Sequence, residues 1–220
     1  MALPWLLLLE LLLYCSSFIC GIVTAASVTI SQGNFAGKCV LYGSVRVHSS
    51  ISVLSSSSPS LCYFVSAISA CVAVFCLSLT FYWIYTICVD REVKREKLWM
   101  NITLGMCGVF LFFLLVTGCI LKIGRDQLCQ SVLHEMIMNI TRCEEAQNKP
   151  WMSPINGNQF YSNLHSAETA VWVNLFFWMI IAVLVLAQRK QGSENGSGGD
   201  DPSATPSETE PFFNRPGGPQ

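Results

Sequence analysis

The sequence predicts an all-α integral membrane protein with four transmembrane helices, two disulfide-stapled luminal or extracellular loops and a disordered cytosolic tail. Three observations carry this. Apolar residues gather in four blocks, 4–26, 63–89, 98–121 and 169–187, each near the roughly 20 residues a helix needs to cross about 30 Å of hydrocarbon. The last three blocks contain no Lys, Arg, Asp or Glu, whereas an ordinary core helix keeps a charged face. Cysteines fall two to each long connecting segment, Cys39 and Cys62 in 27–62, Cys129 and Cys143 in 122–168. Helices are expected because a spanning segment must satisfy its own backbone hydrogen bonds, and the alternation of a membrane barrel is absent. Residues 1–190 thus read as a four-helix membrane domain with a cytosolic connector at 90–97, and 191–220 as its tail.

The first block has a competing reading as a cleaved export signal, since Thr24, Ala25 and Ala26 are small enough for a cleavage site. No Lys or Arg precedes it, and it is longer than the roughly 7–15 residues of a signal core, so retention is expected. Within it Glu10 interrupts a run of leucines. No other span offers a Lys or Arg at depth, so an internal salt bridge inside the spans is not available to it. Glu10, Tyr14, Ser17, Gly21 and Thr24 follow steps of four and three and form one polar and small stripe, expected to face the bundle or a partner helix.

Sidedness follows from charge. The connector holds Arg91, Lys94, Arg95 and Lys97, and Arg189 and Lys190 follow the fourth span, which favours a cytosolic connector and tail. The longer loops also carry basic residues, so cysteine placement adds weight. Of 11 cysteines, Cys15, Cys20, Cys71, Cys76, Cys88, Cys107 and Cys119 lie in or at the end of spans. One bridge within each long loop requires an oxidising compartment; proximity favours it over the other connectivities, and four reduced thiols are the competing state. The sequon at Asn139 would be glycosylated in this orientation, while those at Asn101 and Asn195 would be cytosolic.

Along the chain, the first loop is rich in Ser, Gly and β-branched residues and suggests short strands around turns at Gly33, Gly37 and Gly43, with 55–59 a flexible approach to the second span. The second loop begins with a helical piece at 128–140 and becomes irregular at 149–151 and 154–158. Its Trp151, Phe160 and Tyr161 suit the membrane interface. After Lys190, Gly, Ser, Pro, Asp and Glu dominate, as in disordered chains.

QGNFAGKCVLYG, PSLCYFVSA, FYWIYTIC, GCILKIG with LC shortly after, CEEAQNKPW and QFYSNLHSAETAVWVNL closely resemble the transmembrane protein 179 family, especially its B-type members. These pieces run in order from the first span to the fourth. The resemblance implies a four-span protein with both termini cytosolic, and it implies no catalytic or ligand residues.

Little in the sequence suggests reaction chemistry. His134-Glu135 begins like a zinc-protease helix, but Met138 stands where the second ligand belongs. His165 and Glu168 share a helical face at the mouth of the fourth span, where such a pair could bind a cation or respond to pH; one imidazole and one carboxylate are too few for a transition metal, so a polar helix entry with Ser162 or Asn163 capping the first turn is expected. Cys88, beside FYWIY, suits S-palmitoylation, with an inert buried thiol as the alternative. Ser193, Ser203, Thr205, Ser207 and Thr209 lie among acidic residues and read as solvated spacer. Ser66 and Ala70, Ser69 and Ala73, and Gly105 and Gly108 are small residues at spacings that let helices approach, and Asn174 needs a partner inside the fourth span.

The leading expectation is therefore a non-enzymatic tetraspan surrounded by the lipid bilayer, acting through contacts with other membrane proteins in the secretory system, plasma membrane or vesicle membranes. It needs no cofactor and no nucleic acid, and a homo-oligomer is compatible with it. The alternative is a channel or transporter subunit whose homo-oligomeric pore is lined by Glu10, Asn174 and the Ser and Thr residues of the second span. An intramembrane enzyme has no pair of catalytic groups to nominate.

Overall fold

A computed structural model describes residues 3–47, 50–89, 97–134 and 142–197. In chain order its elements are α1 (Leu3–Asn34), β1 (Cys39–Val47), β2 (Ile51–Ser57), α2 (Pro59–Val89), α3 (Lys97–His134), a 3-10 helix (Cys143–Asn148) and α4 (Phe160–Ser197). All four α-helices are long and apolar enough to cross a membrane. α1 packs between α2 and α4, and α3 lies on another side of α4. α2 and α3 meet through Phe64–Phe113 and Phe75–Phe110, with ring centroids 6.4 and 5.1 Å apart. Trp178 of α4, fully buried, touches the other three helices through Tyr14, Phe75 and Phe110 at 6.2, 6.3 and 4.9 Å.

Each helix outruns the hydrocarbon, since the 32 residues of α1 alone rise roughly 48 Å at about 1.5 Å per residue. The apolar blocks end at 26 and 121, yet α1 continues to Asn34 and α3 to His134, while α2 starts at Pro59 and α4 at Phe160. The reason lies in buried positions beyond each block: Val28, Ser31 and Gln32 on α1, and Gly124, Leu128 and Val132 on α3 recur at helical spacing and pack inward. Gly33, expected in a turn, is therefore in the last turn of α1. The chain leaves that helix through Ala36 and Gly37, both at positive φ, with Gly37 N donating to Gln32 O at 2.9 Å. The helical piece expected at 128–140 is the end of α3, and 135–141 lie outside the described residues. At the other end, α4 runs on to Ser197, so 191–197 are helical where disorder was expected. A helix already nucleated in the span extends with one hydrogen bond per residue. The rest of the tail and connector residues 90–96 fall outside the described residues.

The overhanging ends of the helices carry a cap. β1 and β2 pair antiparallel, with Val45 opposite Val53 and Val47 opposite Ile51, and the register is irregular between Cys39 and Val45. Gly43 sits in that bulge, where a Cβ would come within 2.9 Å of Val40 O and 3.0 Å of Ser55 O. Residues 55–57, expected as a flexible approach, are strand, with Ser55 paired to Ser44 and Ser57 to Cys39, and the Ser57 hydroxyl also donates to Cys39 O at 3.4 Å and to Leu41 O. Disulfides join Cys39 to Cys62 and Cys129 to Cys143, tying the hairpin to α2 and the 3-10 helix to α3.

Of the aromatics expected at the membrane interface, Trp151 is half-buried and Phe160 buried. They pack with Phe35 in a box of edge-on rings, at 5.3, 5.4 and 6.2 Å, and the indole N–H donates to Ala146 O at 3.0 Å. The start of β2 is bonded to the same segment, Ile51 N to Pro150 O at 2.9 Å and Met152 N to Ile51 O at 3.0 Å.

Candidate functional site: a polar seam and an ion-pair girdle

Two polar constellations stand out in this apolar scaffold. The first is built on α1. Glu10, Tyr14, Ser17, Gly21 and Thr24 are all buried. Gln188 Nε2 donates to Glu10 Oε1 at 2.7 Å, Tyr14 meets Trp178 edge-on, and the Ser17 hydroxyl donates to Asn174 Oδ1 at 2.5 Å while receiving the Cys76 thiol at 3.2 Å. Thr24 lies 3.0 Å from Cys20 O and 3.5 Å from Ala167 O. Gly21 admits α2 instead of α4: a Cβ there would stand 2.9 Å from Ser69 O and 3.0 Å from Ala73 Cβ. Partners on three helices satisfy polar groups that hydrocarbon would leave stranded.

Ser66 of the other small pair on α2 shares a 3.1 Å hydroxyl contact with Thr29. Gly105 and Gly108, expected to let helices approach, do not do so here; nothing lies within 4 Å of a Cβ built at either. Close approach on α3 uses Gly118, against Trp172 and Val171, and Gly124, against Leu41 and Tyr42, because those positions face α4 and β1.

The second constellation joins α3 to α4 beneath the cap. Arg125 Nη1 pairs with Glu168 Oε2 and also meets His165 Nδ1 at 3.0 Å, while Nη2 donates to Asp126 Oδ1 at 3.0 Å. Lys122 bridges the two carboxylates, 3.3 Å from Asp126 and 3.9 Å from Glu168. The Arg125 and Glu168 side chains are only 11% and 10% exposed, so this pair is far less screened than Lys122–Asp126 at 49% and 44%. Tyr161 stacks on His165 at 5.9 Å, and the Arg125 guanidinium lies 6.0 Å above the Tyr161 ring.

The family model of the transmembrane protein 179/179B claudin domain matches residues 6–213. The chain belongs to the transmembrane protein 179/179B claudin-domain family. A relative from Danio rerio called transmembrane protein 179B is 77% identical over 220 residues, covering all of both chains. Those of the same name from Homo sapiens and Mus musculus are 43% and 42% identical over 192 residues, 86% of each chain. No solved structure matches. As a member of this family the chain is an integral multi-pass membrane protein with four spans that sits in the lipid bilayer.

Within this claudin-domain scaffold the remaining expected positions are scattered. Cys88 is exposed near the end of α2, and His134 is exposed at the end of α3; Glu135 and the Asn139 sequon lie outside the described residues. Neither Ser162 nor Asn163 caps α4, because the helix begins a turn earlier at Phe160; Ser162 instead donates to Gln147 Oε1 at 3.3 Å. Among the described residues no cluster of three or more His, Cys, Asp or Glu side chains is placed to hold a metal. Arg125, the centre of the girdle, was missed by sequence reasoning. Its signal was a buried-face arginine four residues past the end of an apolar block, on the far side of Lys122.

Proposed function

We propose that this protein is a non-enzymatic tetraspan that works by contact with other membrane proteins, presenting its stapled cap as the recognition surface. The observation that carries this reading is the double cross-link. One bridge fixes the hairpin to α2 and the other fixes the 3-10 helix to α3, so the connecting segments form a set surface. That surface exposes Leu54 and Met152, large apolar side chains lying beyond the ends of the apolar blocks. Both termini are cytosolic, and the cap is luminal or extracellular, in secretory, plasma or vesicle membranes. The disulfides lie at the end of the bundle opposite Arg189 and Lys190, in keeping with an oxidising side and a basic cytosolic side. Cys88, exposed on the cytosolic side in this orientation, is the acylation candidate.

The experiment is photocrosslinking of the full chain in cells from positions 54 and 152, with glycan mapping to read the sidedness. Reproducible membrane-protein adducts and a glycan on Asn139 support the reading. No reproducible adduct, or a glycan on Asn195 in place of Asn139, contradicts it. The pore reading is weakened by burial: Glu10 and Asn174 are each 1% exposed and bonded to neighbours within one bundle, which withholds them from a pore between copies.

A further inference from the structure

Arginine carries only hydrogen-bond donors, so the ring nitrogen that meets Arg125 Nη1 at 3.0 Å must be an unprotonated Nδ1. His165 is exposed, so solvent protons reach its ring. The groups around it are Arg125, Lys122 and Asp126 on α3 and Tyr161 and Glu168 on α4; from β1, Tyr42 packs at Gly124, the residue before Arg125. We infer that His165 is a proton-operated latch between α3 and α4 at the base of the cap.

With the ring neutral, the two Nη1 hydrogens of Arg125 go to Glu168 and His165, both on α4, and the guanidinium clamps one helix to the other. Binding one solvent proton turns Nδ1 from acceptor to donor and sets a second cation against the guanidinium. The ring then turns to the carboxylates. Glu168, three residues on along the same helix, is the nearest by sequence, and Asp126 lies across on α3. An imidazolium bonded to Glu168 competes with Arg125 for it, replacing a link between helices with one inside α4. The α3 segment, whose ionic link to Glu168 is then left to Lys122 at 3.9 Å, carries Cys129 and through its bridge the 3-10 helix, so the loosening reaches the cap. This goes beyond the contact reading and holds whatever the cap binds.

The test is backbone hydrogen exchange of the full chain in lipid nanodiscs, followed over 122–134 and 160–170 at about pH 7.5 and about pH 5.5 and corrected for intrinsic rates. The wild-type chain is expected to lose protection roughly fivefold at the lower pH in these segments and not in the middle of α2. His165→Gln keeps an acceptor without a titrating proton and is expected to hold its protection at both values. His165→Lys, charged at both, is expected to show the low protection throughout. A His165→Gln chain that loses protection as the wild type does, or a wild type that loses none, overturns the latch. His165→Asn makes the same comparison if the Gln chain does not assemble.

Discussion

Gln188 Nε2 donates to Glu10 Oε1 across 178 residues of sequence, which ties the near end of α1 to the far end of α4. Glu10→Gln keeps hydrogen-bonding groups of the same size and is expected to assemble with little change in thermal stability. Glu10→Leu leaves the half-buried Gln188 amide without this acceptor, and interhelical hydrogen bonds in membranes average about 0.6 kcal/mol with a maximum of about 1.7. A fall in melting temperature for Glu10→Leu, partly restored in Glu10→Leu/Gln188→Leu, is the expected pattern in fluorescence-detected unfolding. Equal tolerance of both single changes would reduce Glu10 to an interfacial residue.

Gly21 and Gly105 make a matched pair. Gly21→Leu pushes atoms into Ser69 O and Ala73 and is expected to separate α1 from α2, with overpacking of this kind costing about 1–3 kcal/mol. Gly105→Ala meets nothing and is expected to be neutral or to stabilise by up to about 1 kcal/mol through helix propensity. Melting curves of the two purified variants, compared with the parent chain, decide it.

Trp178 fills the point where all four helices meet, so Trp178→Ala is expected to cost about 3–5 kcal/mol, the range for truncating a large buried aromatic. Trp178→Phe retains part of the ring contact and is expected to lose less. Size-exclusion profiles of the solubilised variants read the difference: broadening for Ala and a near-native peak for Phe.

Cys143→Ser removes the bridge that closes the shorter loop, its ends separated by 14 positions in sequence, where the chain-entropy estimate is about 3 kcal/mol. Limited proteolysis from the cap side is expected to cut within 142–159 in the variant and spare it in the parent. Helix protection near Trp178 is expected to be unchanged. Cutting elsewhere first would show that the Trp151 box, and not the bridge, holds this segment.

The four spans are legible because hydrocarbon excludes charge, and a run such as 98–121 without a single ionic residue suits a spanning helix and little else. Their ends are less so. Beyond residue 121 the pattern changes from uniformly apolar to amphipathic, and a reading tuned to the membrane stops there while the backbone continues to His134. The α1 stripe is visible as a period in one segment, but its partners are not, since Asn174 lies 157 residues from Ser17 and only the packing of α1 on α4 brings them together. Arg125 was hidden for the same reason: its partners His165 and Glu168 are on another helix, and as a local pattern GRD reads as a loop entry.

The placement of α1 between α2 and α4 also sets an order of events during synthesis. The hydroxyl and carboxylate of Ser17 and Glu10 enter the bilayer first, and the amides of Asn174 and Gln188 that bond to them are made last. At about 5–20 residues per second, the interval between Glu10 and Gln188 is roughly 10–40 s. During that time α1 and α2 can join through Gly21, but the α4 side of α1 awaits a helix that does not yet exist.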